Sequence, residues 1–158
     1  MRLHAAFAGA TCILALLLTP AFAHAAAPTA CELLTAQTAA GLAGEAVTLT
    51  KDVQGKGCAY ATKSGANIGF AITDMAADDA KNYIASMRLM VVAPATTELI
   101  PGLGEQNYLL VRPESQKNKN ALQVIYHQKL LTLGVQRKMT PDLKAQMVQF
   151  MRQVLSKI

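Results

Sequence analysis

The spacing of apolar residues predicts three helical regions. The last is the best marked: Thr140 can cap a helix, Pro141 suits its first turn, and an apolar stripe follows at helical spacing, at Leu143, Met147, Phe150, Met151, Val154 and Ile158. A second amphipathic helix is predicted over about residues 75–90, with Ala80, Tyr83, Ile84, Met87 and Val91 on one face. The first region begins near Thr29, whose T-x-x-E sequence is a capping-box pattern, and Thr35 could start a separate short helix within it.

Alternation of apolar and polar residues predicts six strands in two groups of three. They cover about residues 45–51, 58–62 and 67–73 before the central helix, and residues 108–112, 121–127 and 130–136 after it. Groups of strands joined by short turns, with helices between the groups, favour an antiparallel sheet. The sequence therefore predicts an α+β sandwich, an antiparallel β-sheet with helices packed on it, in the order α-βββ-α-βββ-α.

The N-terminal segment has the pattern of a cleavable export signal. Arg2 precedes an apolar run that is densest over residues 12–18, and small residues follow it. The run is shorter than the roughly 20 residues that a membrane-spanning helix needs. Ala23-His24-Ala25 predicts cleavage after Ala25, with Ala23 as the alternative. We therefore expect residues 1–25 to be removed and residues 26–158 to form a single α+β domain in the periplasm.

Signal cleavage would leave two of the three cysteines, Cys31 and Cys58. An even number of cysteines in an exported chain favours a disulfide. A metal site or a redox pair is the alternative, but the spacing is far from C-x-x-C and no histidine lies near either residue. The sequence therefore predicts a Cys31–Cys58 bridge that fixes the first helix to the strand over residues 58–62.

Charge is unevenly distributed along the chain. Residues 26–106 contain five Lys or Arg and eight Asp or Glu, whereas residues 107–158 contain nine and two. A basic half attracts anionic partners, such as an anionic surface or an acidic envelope protein, and a solvated surface with scattered lysines is the alternative. The predicted partner surface consists of Lys117, Lys119, Arg137 and Lys138. Nucleic acid is not expected as a partner, because Trp is absent and basic residues do not alternate with aromatic ones.

The sequence contains no recognisable catalytic or cofactor motif. His127, the one histidine left after cleavage, lies at a predicted strand end, and no G-x-S-x-G nucleophile motif accompanies it. Asp74, Asp78 and Asp79 suit the start of a helix and lack the spacing of a calcium loop. We therefore assign no catalytic, cofactor-binding or metal residue, and we expect no cofactor and no enzymatic activity. A hydrolase of unknown type, built on His127, is an alternative.

Three short motifs resemble a broad group of small exported bacterial proteins and lipoproteins. They are Cys31-Glu32-Leu33-Leu34-Thr35, Cys58-Ala59-Tyr60 and Gly102-Leu103-Gly104-Glu105, which follow the group's order of C-x-L-L-T, C-x-Y and a G-L-G-acidic turn after a helix. The group largely lacks an assigned function, and some members are similar to the PsbP-like sandwich. The resemblance implies the fold, the disulfide and the exported location, and it implies no catalytic residue. Neither Cys12 nor Cys31 follows a lipidation signal, so a mature form without a lipid is expected.

These observations favour a non-enzymatic binding or accessory module of the periplasm. A small-ligand carrier, for a lipid or a metal, is an alternative, because such a sandwich could hold an apolar pocket near Met87, Met147 and Met151. The same methionines could instead fill the core, since they fall on the apolar stripes of their helices.

Overall fold

The computed structural model describes residues 27–158, which form one seven-stranded antiparallel sheet of order β1-β2-β3-β7-β6-β5-β4. The strands are β1 (Val47–Val53), β2 (Gly57–Thr62), β3 (Asn67–Asp74), β4 (Thr96–Glu98), β5 (Gln106–Val111), β6 (Lys119–Tyr126) and β7 (Lys129–Gln136). The helices are α1 (Ala30–Leu33), α2 (Ala36–Ala43), α3 (Ala77–Leu89) and α4 (Pro141–Leu155), with a 3-10 turn at Glu114–Gln116. The predicted export signal lies outside the described residues.

The predicted α+β class is confirmed, with two differences in the order of elements. The first helical region is two helices, because Thr29 and Thr35 each accept a hydrogen bond from a backbone N–H of the following turn. The second group has four strands rather than three, since β4 lies in the segment predicted to be a plain connection. Its three residues at the sheet edge are too few to produce a periodic pattern.

One face of the sheet carries the larger core. Helices α1, α2 and α4 pack there on side chains of the central strands, and the stripe of α4 supplies Leu143, Met147, Phe150, Met151 and Val154, all at most 3 % exposed. The ring of Phe150 meets Phe70 of β3 edge-on at a centroid distance of 5.2 Å. Burying each such side chain stabilises the fold by about 1.5–3 kcal/mol, so α4 is the main cover of this face.

The opposite face is covered over only part of its width. Helix α3 packs Ala80 and Ile84 against Tyr108, Leu110 and Ile125 of β5 and β6. Burial raises the pKa of Tyr108, so its hydroxyl is neutral at physiological pH. Over β2, β3 and β7 the same face carries small residues that are partly exposed. This difference leaves a shallow groove beside α3.

The predicted disulfide between Cys31 and Cys58 is confirmed. It joins α1 to β2 across a Cα–Cα distance of 5.0 Å, and the backbone N–H of Ala30 donates to the carbonyl of Gly55 at 2.7 Å. The N-terminal helix is therefore held to β2 by a covalent bond and to the β1–β2 turn by a hydrogen bond. None of the helices in residues 27–158 combines the length and the apolar character that crossing a membrane requires.

Candidate functional site: a basic end of the sheet

Basic residues gather where β5 and β7 end and β6 begins. The β6–β7 register pairs Lys119 with Gln136, which brings Lys119 beside the two residues that follow β7. We call this region the basic end; it contains Arg112, Lys117, Lys119, Arg137 and Lys138. The four residues of the predicted partner surface therefore lie together, although two separate segments of the chain supply them.

Asn120 organises the backbone of the basic end. Its side chain is buried; Oδ1 accepts the N–H of Arg112 at 2.9 Å, and Nδ2 donates to the carbonyl of Arg137 at 2.6 Å. Asn118 adds a second link, because its carbonyl accepts the N–H of Arg137 at 3.2 Å. These bonds hold the ends of β5 and β7 to the start of β6, so a hydrogen-bonded buried amide fixes the backbone that carries the basic residues. The sequence offered no periodic signal for Asn120.

The three lysines of the basic end form no ion pairs. Lys117, Lys119 and Lys138 are exposed, and no carboxylate in the described part of the chain forms a salt bridge with them. Glu114, in the 3-10 turn, is the one acidic residue in residues 112–119. Like charges held close together without partners repel one another, so this arrangement favours an anion supplied from outside the domain.

Arg137 has a structural role that separates it from the three lysines. One guanidinium nitrogen, Nη1, donates to the carbonyl of Leu42 near the end of α2 at 3.3 Å. The guanidinium lies over Gly44, where a Cβ atom would approach its Cζ to 2.9 Å. Arg137 therefore caps α2 and fixes the following glycine, and it is less available to a partner than its neighbours.

Exposed apolar side chains lie next to the basic end. Leu89, Met90 and Val92 are 88 %, 64 % and 77 % exposed, and we call them the apolar tip. Met90 and Val92 share a small pocket of about 160 Å³ with Arg112 and Gln116, so the tip adjoins the basic end at Arg112. The sequence signal for this feature was that residues 89, 90 and 92 are apolar although they lie outside the predicted apolar stripe of α3.

The opposite end of the sheet has paired charges. Asp74 binds both Lys56 and Lys129, with N–O distances of 3.1 and 3.0 Å. The bond to Lys129, followed by that to Lys56, lowers the pKa of Asp74. Glu105 accepts the backbone N–H of His127 at 3.0 Å and lies 3.8 Å from its ring Nδ1. We call this region the paired end.

His127 occupies a two-residue turn rather than a catalytic cleft. His127 and Gln128 both have positive φ, which is the geometry that joins two adjacent antiparallel strands, here β6 and β7. The ring is exposed and lies tilted by 49° against the ring of Tyr126, with centroids 4.0 Å apart, and its polar neighbour is the carboxylate of Glu105 rather than a hydroxyl or a thiol. This geometry gives no support to a hydrolase built on His127.

The suggested pocket near three methionines is wrong as a single site. Met147 and Met151 are fully buried among the side chains under α4, whereas Met87 packs under α3 on the other face of the sheet. The sheet itself separates them, because successive residues of a strand face opposite sides. No group of three or more His, Cys, Asp or Glu side chains within residues 27–158 is arranged to hold a metal ion.

The uncovered part of the second face forms a groove of about 330 Å³. Its floor consists of the small residues Gly57, Ala59, Gly69, Ala71, Thr132 and Gly134, with Lys51 and Val53 beside them. Added Cβ atoms at Gly69 and Gly134 would meet their nearest neighbours at 3.6 and 3.9 Å, which are ordinary contacts. The fold therefore does not require these two glycines. Nearby, Gln123 Oε1 is buried without a hydrogen-bond partner.

The short motifs of the sequence have structural roles. In the Gly102–Glu105 turn, Leu103 is fully buried, and Asn107 Nδ2 donates to its carbonyl at 2.7 Å. Gly104 has a φ of +66°, and a Cβ there would lie 2.4 Å from Val124 Cγ1. The predicted tight turn is thus explained by close packing on β6.

Comparison of the chain with known protein families and with characterised proteins gives no match.

Proposed function

We propose that the protein is a non-enzymatic binding module of the cell envelope that binds an anionic partner through its basic end. The observation that carries this proposal is the group of three exposed lysines without ion pairs, Lys117, Lys119 and Lys138. At the other end of the sheet, Lys56 and Lys129 are paired with Asp74. Lys51, Lys63 and Lys157 also form no ion pair in the described chain, but they lie on β1, after β2 and after α4 rather than in one group. A fixed cluster of unpaired cations accelerates and strengthens association with an anionic surface.

The proposed location is the periplasm, after removal of residues 1–25. A disulfide and the lack of a spanning helix in residues 27–158 are compatible with export. The resemblance to small exported bacterial proteins points the same way. Intact-mass measurement of the protein from a periplasmic extract tests this: the expected mass begins at Ala26 and is two hydrogens below that of the reduced chain.

The test of the binding surface is charge reversal with a matched control. The variant K117E/K119E/K138E removes the cluster and leaves Arg137 in its structural role. The control K51E/R152E/K157E makes the same change in net charge at exposed positions elsewhere. We expect the first variant to lose association with the envelope fraction and retention on an anionic matrix, and the control to keep both. Equal behaviour of the two variants would show that net charge, rather than this surface, is responsible.

A small-ligand carrier is the second candidate function, supported by the groove beside α3. Its floor of small residues leaves room for an apolar body, and Gln123 Oε1 could accept a hydrogen bond from a polar group. Native mass spectrometry of protein purified without chelator or reductant tests this candidate. A ligand mass that disappears in a Gly69→Leu/Gly134→Leu variant, which fills the groove, would support it; a bare protein would count against it.

A further inference from the structure

Three neighbouring apolar side chains lie outside the core. The described residues contain six large exposed apolar side chains, and Leu89, Met90 and Val92 have the highest exposed fractions of the six. Contiguous exposed apolar surface on an otherwise well-packed domain marks a site of protein or membrane contact. The apolar tip is therefore a candidate contact surface in its own right.

Packing does not explain why these positions are apolar. Helix α3 holds to the sheet through Ala80 and Ile84, with Tyr83 and Met87 partly buried beside them. Leu89 is the last residue of α3, and the backbone N–H of Met90 donates to the carbonyl of Met87 at 3.2 Å to close the helix. Because this hydrogen bond is made by main-chain atoms, the backbone would be compatible with polar side chains at residues 89, 90 and 92.

The apolar tip meets the basic end at Arg112. Met90 and Val92 line a pocket with Arg112 and Gln116, and Lys117 follows Gln116 directly in the chain. Arg88, which precedes the tip, is exposed. In the same pocket Gln116 Oε1 is buried without a hydrogen-bond partner. Apolar side chains are thus bordered by cations, with Glu114 as the one nearby carboxylate of residues 112–119.

We propose that the apolar tip inserts into the headgroup region of an anionic lipid bilayer while Arg112, Lys117 and Lys119 contact the lipid phosphates. This proposal rests on the proposed function, because it names the partner of the basic end. Projecting apolar side chains bordered by Lys and Arg match the order of a bilayer surface, where anionic headgroups lie above acyl chains. The long basic side chains can reach the phosphates while the tip lies deeper. An acidic protein would satisfy the lysines but would not account for the exposed tip.

Vesicle binding by the oxidised protein recovered from expressing cells tests the proposal. Vesicles of phosphatidylglycerol and phosphatidylcholine in equal parts are compared with pure phosphatidylcholine by sedimentation. We expect binding to the anionic vesicles alone, weakened by salt. Neutralising three cations in K117Q/K119Q/R112Q should weaken binding about 100-fold, and L89S/M90S/V92S should weaken it by about tenfold or more. The control L49S/V53S, at apolar positions 51 % and 44 % exposed, should bind as the unmodified protein does.

Insertion itself can be observed with a single fluorophore, because the chain contains no Trp. Leu89→Trp should give a blue-shifted emission when anionic vesicles are added, and Leu49→Trp, on β1, should give none. No shift at residue 89, or equal binding by L89S/M90S/V92S and the unmodified protein, would overturn the proposed insertion.

A soluble polyglutamate matrix separates the two proposals. Lysine-dependent retention on polyglutamate together with failure to bind anionic vesicles would overturn the bilayer as the partner and leave the basic end as an acidic-protein surface. Failure to bind either material would overturn the proposed function as well.

Discussion

The two ends of the sheet contain similar side chains and use them differently. At the paired end, Lys56 and Lys129 share the carboxylate of Asp74, and Glu105 faces His127. At the basic end, Lys117, Lys119 and Lys138 have no carboxylate partner within the described chain. The comparison teaches that lysine content alone does not identify a binding surface. What distinguishes the basic end is that several lysines without a carboxylate partner lie together there.

The two ends of the sheet also differ in the contacts that hold their backbone segments together. The paired end is tied by the disulfide, by the bond from Ala30 to Gly55 and by the packed turn at Gly104. The basic end is organised by Asn120 and leaves apolar residues in solvent. We infer that the paired end mainly stabilises the fold. Substitutions at the two ends should therefore separate stability from binding.

The largest expected effect is loss of the disulfide near the paired end. In the chain-entropy account, a bridge that spans 27 residues stabilises by about 3–4 kcal/mol. We expect a Cys31→Ala/Cys58→Ala variant to lose that much free energy of unfolding, measured by urea denaturation of both proteins under oxidising conditions. Adding reductant should bring the unmodified protein to the stability of the variant. A loss below 1 kcal/mol would show that α1 is held mainly by its other contacts.

The next-largest loss of stability is expected at Gly104, and Gly102 of the same turn serves as its control. Gly104→Ala combines a positive φ with a contact to Val124 and Ile125 that is too close for a Cβ, so we expect a cost of about 2–3 kcal/mol. Gly102→Ala is the control: its φ is +68°, but nothing lies within 4 Å of the added atom, so about 1 kcal/mol is expected. Thermal unfolding of both variants measures the difference. Equal losses would mean that β6 moves to accommodate the methyl group at residue 104.

The elements were predictable wherever burial imposes a period on the sequence. The predicted α4, with Thr140 as its cap and a stripe from Leu143 to Val154, is confirmed, because the sheet buries one side of the helix completely. The strands predicted over residues 121–127 and 130–136 are confirmed as β6 and β7 for the same reason, with ends that differ by at most two residues. Strand β4 was not predicted, since its three residues at the sheet edge carry no such period.

The candidate site was predictable only in part. Four basic positions were named from local charge, and the β6–β7 register brings them together. Sequence could not show that Arg137 caps α2, because that contact joins segments far apart in the chain. It also could not show that Asn120 links β5 to β7, or that Met87 and Met147 lie on opposite faces. Each of these facts depends on sheet topology rather than on local pattern.

A smaller effect concerns the pH response of the paired end. The ion pairs hold the pKa of Asp74 below its ordinary value, so their contribution is present above about pH 4 and is lost as pH falls through the lowered pKa. We expect Lys129→Gln to raise the pKa of Asp74 more than Lys56→Gln does, because the bond to Lys129 is the larger cause. Titration of the Asp74 carboxyl carbon by NMR measures both. An unchanged pKa in Lys129→Gln would contradict the assigned pairing.

The smallest effect on stability is expected at the basic end, where the largest effect on binding is proposed. Lys117, Lys119 and Lys138 are exposed and have no ion pair to lose, so K117Q/K119Q/K138Q should change the free energy of unfolding by no more than about 0.5 kcal/mol. Relief of repulsion among the three charges would make any change slightly favourable. Urea denaturation at low salt, where such repulsion is least screened, is the measurement. A clear loss of stability would mean that these lysines serve the fold as Lys129 does, and the contrast between the two ends would no longer identify a partner surface.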